Sequence, residues 1–215
     1  MGKKIAIYGA GTIGACQATL TSGNGYSTVV IGHSEEGLSR CRNTMLQNWN
    51  DLIAQKLATA ANRRAAMDLV TITNDVSALR DCDIVFEAVS EDVNIKQRVY
   101  SIITEVCGRD IIVVSTTSSI DAAILAEKIE NPARFLIAHP FQPVHMLPLV
   151  EVVRHTETSE ETLNQVCTLL KDLNRQVVML NRSVPGFLVN RFAQALFRES
   201  IYLIEQGITT AADID

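Results

Sequence analysis

Lys4 to Gly14 reads KIAIYGAGTIG, and this stretch decides the fold. Lys4–Tyr8 is a short apolar strand, Gly9-x-Gly11-x-x-Gly14 is a glycine-rich turn, and the residues on to about Thr21 read as a helix. In a strand–turn–helix setting each glycine has a separate task. Gly9 permits the tight turn, Gly11 lets the backbone approach a pyrophosphate, and Gly14 lets helix and strand pack closely. The helix start, with Thr12 and Ile13, presents free N–H groups and a positive dipole end to a phosphate. The stretch points to a dinucleotide site at the first unit of the chain. A glycine turn kept only for packing is the alternative.

Working outward, strands and helices alternate. Ser27–Ile31, Leu69–Thr73, Asp83–Val89, Asp110–Thr116, Phe135–Ala138, Leu149–Val153 and Gln176–Leu180 read as strands. DIVFEAV at 83–89 and DIIVVST at 110–116 have the continuous apolar cores of parallel strands buried on both faces. Between them lie helical stretches: a long polar region from Ser34 to Ala61, a short helix at Asp75–Arg80, and helices at Asp92–Val106, Asp121–Ile129 and Ser159–Leu173. Thr158 and Glu161 are placed to form a capping box on the last of these. The pattern predicts an α/β fold with a doubly wound, mostly parallel sheet.

The second strand lacks a usual feature. A site for NAD commonly carries an acid at that strand's end, to bind the ribose 2′-OH. Here the strand ends in Gly32-His33-Ser34, with Glu35 and Glu36 following. Gly32 leaves room, and His33, Ser34 or Arg40 could meet a 2′-phosphate, so NADP stays open beside NAD.

Composition narrows the function classes. The chain has 215 residues, 47% of them hydrophobic and 20% charged, with a net charge of −5. It has no basic run, which argues against nucleic acid or an anionic membrane surface as a main partner. No apolar run is long enough to span a bilayer. Gly2 lacks the Ser or Thr at position 6 that N-terminal acylation would want. Cysteines at 16, 41, 82, 107 and 167 form no C-x-x-C pair and are odd in number. They fit reduced thiols in the cytoplasm. No two histidines have the spacing of metal ligands, so no metal is expected.

The chemistry concentrates at Ala138–Glu151, AHPFQPVHMLPLVE. His139 ends a strand, Pro140 and Pro143 fix the turn, and Glu151 lies on the strand that follows. Glu151 can fold back onto His139, fix its tautomer and leave the other ring nitrogen for proton transfer. A strand-end histidine that only caps a carbonyl would show the same spacing.

Near Asn181–Gly186 turn chemistry precedes a change of character. This divides the chain into a dinucleotide-binding domain over 1–183 and a second unit over 184–215. Pro185–Gln206 reads as one helix with Pro near its first turn. Its apolar residues Phe192, Leu196, Phe197, Ile201, Leu203 and Ile204 span a wider arc than one contact surface needs. The expectation is a helix covered on more than one side, by another subunit or by further chain, with 184–215 a truncated start.

Five segments in order resemble the L-3-hydroxyacyl-CoA dehydrogenase family, including its relatives that act on free 3-hydroxy acids such as L-gulonate and carnitine. They are GAGTIG at 9–14, FEAVSEDVNIKQ at 86–97, STTSSI at 115–120, AHPFQPVHMLPLVEVV at 138–153 and VPGFLVNR at 184–191. The resemblance covers essentially the whole chain. It implies a Rossmann-type domain binding NAD, followed by an all-helical domain that carries a homodimer interface, with only its first helix present. It further implies that His139 is the general acid/base and Glu151 its carboxylate partner. Ser118 and Asn190 would donate hydrogen bonds to the substrate oxygen, and Glu91 and Lys96 would contact the nicotinamide half of the cofactor. Read alone, Ser118 would be a cap and Asn190, Lys96 and Glu91 solvated helix residues. Gln142 stands where the family has asparagine, and Gly32 where it has an acid.

The implied reaction is hydride transfer between a nicotinamide cofactor and C3 of a 3-hydroxyacyl-CoA. The same chemistry on a free 3-hydroxy acid (a sugar acid, carnitine or a keto acid) is the first alternative. A non-catalytic dinucleotide-binding protein is the second.

Overall fold

A computed structural model of the chain describes residues 3–215. Gly2, and with it the question of acylation, lies outside the described residues.

The elements alternate as the pattern of apolar strands requires. In chain order they are β1 (Lys4–Tyr8), α1 (Thr12–Gly23), β2 (Ser27–Ile31), α2 (Glu35–Ala54), α3 (Ala60–Asp68), β3 (Val70–Thr73), β4 (Ile84–Glu87), α4 (Val93–Cys107), β5 (Ile112–Ser115), α5 (Ala122–Ala126), β6 (Phe135–Pro140), β7 (Leu149–Arg154), α6 (Glu160–Asp172), β8 (Gln176–Leu180), α7 (Val189–Glu205) and α8 (Ala211–Ile214). Single 3-10 turns cover Val76–Leu79 and Pro132–Arg134.

The eight strands form one sheet in the order β3-β2-β1-β4-β5-β6-β7-β8. All neighbours pair in parallel except β6 with β7. The order reverses between β1 and β4, and there the carboxyl ends of the strands open a crevice, the usual place for a ligand in a doubly wound sheet. One face is covered by α1, α2 and α6, where Ala15, Cys16, Met45, Val166 and Leu170 pack on Ile5, Ile7, Val114 and Val152. The other is covered by α4 and α5, where Tyr100, Ile103 and Leu125 pack on Ala6, Val85 and Val113. Burial on both faces explains the unbroken apolar strands. Among the described residues no helix is long and apolar enough to cross a membrane.

Several local expectations need correction. The helical region from Ser34 to Ala61 divides into α2 and the start of α3, which runs on to Asp68. Lys56 takes a left-handed φ of 60°, and Thr59 with Asn62 forms a capping box that starts α3 anew. The helix expected at Asp121–Ile129 keeps only Ala122–Ala126. The cap of α6 is Ser159, whose side chain accepts from Thr162 N–H. Thr158 instead donates to the Phe135 carbonyl at 2.6 Å, which joins the loop to β6. α7 begins at Val189 rather than Pro185, because Gly186 (φ 75°) and Phe187 (φ 50°) break the chain out of helical geometry.

Candidate active site

The site is built where β1, β4, β5 and β6 end. Two of the three glycines of the loop are held by close protein contacts. Gly9 has a φ of +130°, and a Cβ there would lie 2.3 Å from the Ala88 carbonyl oxygen. A Cβ on Gly14 would lie 1.8 Å from the carbonyl oxygen of Gly9. That contact is what close packing of α1 on β1 demands. Gly11 has nothing within 4 Å of its would-be Cβ, so its glycine answers to no protein neighbour. The N-terminus of α1, at Thr12 and Ile13, has no side-chain cap. An open, uncapped helix end over a glycine turn is a cradle for a phosphate, and these residues fit the pyrophosphate of a dinucleotide.

β6 and β7 place His139 against Glu151. In their antiparallel register His139 lies directly opposite Glu151. His139 Nδ1 and Glu151 Oε2 are 2.9 Å apart. The other carboxylate oxygen of Glu151 accepts from the N–H groups of Leu188 and Val189, each at 2.9 Å. Those two amides belong to the uncapped start of α7 and bring its positive dipole end to a carboxylate with no exposure. His139 is 7% exposed. Its ring is held between Phe141 and Phe187, with centroids 4.6 and 5.6 Å away. One ring nitrogen is engaged by Glu151, which leaves Nε2 for a ligand.

A cavity of about 290 Å³ opens beside this pair. Its lining includes Ile13 from the glycine loop, Glu91, Lys96, Ser118, His139, Gln142 and Asn190. Seven of the residues singled out from the sequence therefore converge on one space, although the outermost two lie 177 positions apart in the chain. Asn190 Nδ2 donates to the Ser118 carbonyl at 3.1 Å and ties α7 to the turn after β5. Glu91 Oε1 accepts from Thr117 Oγ1 and from Ser118 N–H at 3.0 Å. Burial works to raise the pKa of Glu91, but the Thr117 hydroxyl, the Lys96 charge and the Ser118 amide outweigh it and hold the carboxyl below its ordinary range.

Two expectations change in detail. Lys96 is not a solvated helix residue. It is 1% exposed and donates to Glu87 Oε1 at 2.7 Å and Glu91 Oε2 at 3.2 Å. Nor is the space on the Cβ side of Gly32 open. A Cβ there would meet Leu38 Cδ2 at 2.6 Å and Ala10 Cβ at 2.8 Å. Of its neighbours, His33 is exposed, Ser34 caps α2 through Gly37 N–H, and Arg40 is paired with Glu36. None of these lines the cavity beside His139.

The sequence reading missed Glu87 and Phe187. Glu87 carried a signal, an acid inside the otherwise apolar strand DIVFEAV. Phe187 carried none, since only the left-handed turn before α7 sends it inward.

The model of the 3-hydroxyacyl-CoA dehydrogenase NAD-binding domain matches residues 4–183. The chain belongs to the 3-hydroxyacyl-CoA dehydrogenase family. It is 31% identical over 214 residues to an L-carnitine dehydrogenase of Bacillus cereus, covering 99% of this chain and 64% of that protein. It is 29% identical over 212 residues to a 3-hydroxybutyryl-CoA dehydrogenase of Clostridioides difficile, covering 99% of this chain and 75% of that protein. Among solved structures, (S)-3-hydroxybutyryl-CoA dehydrogenase from Ralstonia eutropha superposes with a TM-score of 0.93 at 29% identity, covering 99% of this chain and 75% of that one. This family member thus spans between about two thirds and three quarters of the length of these relatives, and its eight-stranded, mostly parallel sheet is their fold.

Proposed function

We propose that the protein is an NAD-dependent oxidoreductase that interconverts a 3-hydroxyacyl-CoA and its 3-keto form. The observation that carries this is the His139–Glu151 pair, set across the β6–β7 register on a cavity that Ile13 of the glycine loop also lines. A nicotinamide cofactor supplies the hydride acceptor or donor when bound. His139 takes the hydroxyl proton at Nε2 during oxidation and returns it during reduction, and an imidazole suits both directions near neutral pH. Glu151 holds the ring's tautomer and stabilises its cationic form, as the carboxylate of a Ser-His-Asp triad does. Ser118 Oγ and the second N–H of Asn190 donate to the substrate oxygen. Such donors are typically worth ~3 kcal/mol each in the transition state. Glu91 and Lys96 line the nicotinamide end, and the N–H groups at Thr12 and Ile13 hold the pyrophosphate.

NAD is the preferred nucleotide in this reading. Ser34 and Arg40 are already engaged, and Glu35 and Glu36 would repel a 2′-phosphate. Side-by-side titrations with NADH and NADPH test this, and NADPH binding as tightly as NADH contradicts it.

A free 3-hydroxy acid is the second reading, on a specific ground. The segment from Ser34 to Asn62, which would have to bind a CoA nucleotide, contains a single lysine, Lys56, and the carnitine dehydrogenase relative points the same way. Gln142, at the cavity edge, is where a longer amide would meet the substrate. Initial rates of the full-length protein with acetoacetyl-CoA, 3-hydroxybutyrate, L-gulonate and carnitine decide between the two. Acetoacetyl-CoA is expected to be fastest. A free acid at least ~10-fold faster moves the assignment to the second reading, a difference of about 1.4 kcal/mol in the barrier. Cofactor binding with no turnover on any of them supports a non-catalytic protein.

Residues 1–183 act as the cofactor domain, and 184–215 open a helical unit that pairs two copies. The apolar face of α7, with Phe192, Leu196 and Phe197 each more than 60% exposed, supports that pairing. Five unpaired cysteines support a reducing, cytoplasmic setting.

A further inference from the structure

The proposed chemistry leaves Glu87 without a role, yet its carboxylate is fully buried at the end of β4 and takes four hydrogen bonds. Oε1 accepts from Val89 N–H at 2.9 Å and from Lys96 Nζ at 2.7 Å. Oε2 accepts from Tyr100 Oη at 2.8 Å and from Ser115 Oγ at 2.7 Å. A buried charge persists only where it is paired and hydrogen-bonded, and this one is paired with Lys96, itself 1% exposed.

Glu87 does not line the cavity, whereas Lys96 does. From Lys96 the contacts run outward. Its ammonium reaches Glu91 Oε2 at 3.2 Å, and the other oxygen of Glu91 accepts from Thr117 Oγ1 and Ser118 N–H. The Ser118 carbonyl then accepts from Asn190 Nδ2. A second connection is made by the backbone, because the Glu87 carbonyl accepts both the N–H and the Oγ1–H of Thr116, at 3.0 and 2.9 Å. Two carboxylates thus share one ammonium. With Glu87 uncharged, the ammonium would keep Glu91 as its one anionic partner in this cluster, and Glu91 would be drawn inward from Thr117 and Ser118.

The geometry points to Glu87 as a positioning residue. By holding the Lys96 ammonium from behind, it keeps Glu91 against the 115–118 turn and so sets Ser118 and Asn190 toward His139. This rests on the functional reading above, and the test separates the two.

In the full-length protein, Glu87→Gln, Glu91→Gln and the double variant are compared by kcat, substrate KM and amide hydrogen exchange over residues 116–120. Glu87→Gln is expected to lower kcat by about 10- to 100-fold, up to the cost of a group misplaced by about 1 Å, with KM changed less than ~3-fold. The double variant should fall no more than ~3-fold below the worse of the two single variants, because groups acting along one path do not add. Losses that multiply in the double variant, or a Glu87→Gln kcat within about twofold of the parent, overturn the proposal. If Glu87→Gln does not fold, Tyr100→Phe removes one bond from the same carboxylate and keeps the ring. Its exchange at 116–120 should rise by roughly 10-fold while β7 and α6 stay unchanged, and unchanged exchange at that turn overturns the proposal. A parent protein that turns over no substrate would instead sink the functional reading, and the exchange result would still decide the positioning role.

Discussion

At the scale of single residues, Glu151 has two engagements. One oxygen orients His139, and the other holds the start of α7 through two amides. Both tasks depend on charge, since bonds to a carboxylate are about twice as strong as neutral ones. Glu151→Gln is therefore expected to lower kcat by roughly 10²-fold or more and to cost ~2 kcal/mol of stability, read by steady-state rates and urea unfolding. A variant that loses turnover with unchanged stability would separate the two tasks and contradict the α7 contact. Phe187 completes the arrangement, with its fully buried ring packed against the imidazole.

At the scale of elements, the glycine loop shows two kinds of constraint. Gly14 is fixed by protein packing, since a Cβ would strike the Gly9 carbonyl, while Gly11 faces open space. Gly14→Ala should destabilise by about 3 kcal/mol. Gly11→Ala should cost less than ~1 kcal/mol yet weaken NADH binding at least ~10-fold, because its methyl points where a pyrophosphate must approach. Thermal unfolding and NADH fluorescence titration check both, and a Gly14→Ala variant as stable as the parent refutes the packing claim. This loop also shows what was legible beforehand. Strand, turn and helix could be read from KIAIYGAGTIG because apolar burial and glycine geometry are local. The pairing of His139 with Glu151 was legible only as a possibility, because it depends on the register of β6 and β7. The break between α2 and α3 escaped, since a left-handed lysine leaves no mark in composition. Glu87 was visible as an acid in an apolar strand, but its partners Tyr100 and Ser115 come from other elements and could not be placed.

At the scale of the whole molecule, a sheet buried on both faces sequesters its thiols as well as its strands. Cys41 and Cys82 are buried, and burial pushes each thiol up from 9.0 to about 11. The folded state then keeps protons that the unfolded chain releases. Stability from these groups is full below pH ~9 and declines as pH rises toward ~11. Urea unfolding at pH 8 to 11 should show that decline, and Cys41→Ala with Cys82→Ala should flatten it. An equally steep decline in the double variant would assign the effect to other groups. The crevice at the reversal of strand order gathers the rest. It brings the ends of β1, β4, β5 and β6 and the start of α7 around one cavity.

The central claim is that His139 carries the proton while the glycine loop carries the cofactor. The most direct test is His139→Gln in the full-length protein, followed by NADH titration and by turnover on the best substrate. NADH affinity should stay within about threefold of the parent, while kcat falls by roughly 10²–10⁴-fold, the span a positioned acid/base contributes. Turnover close to that of the parent would contradict the account.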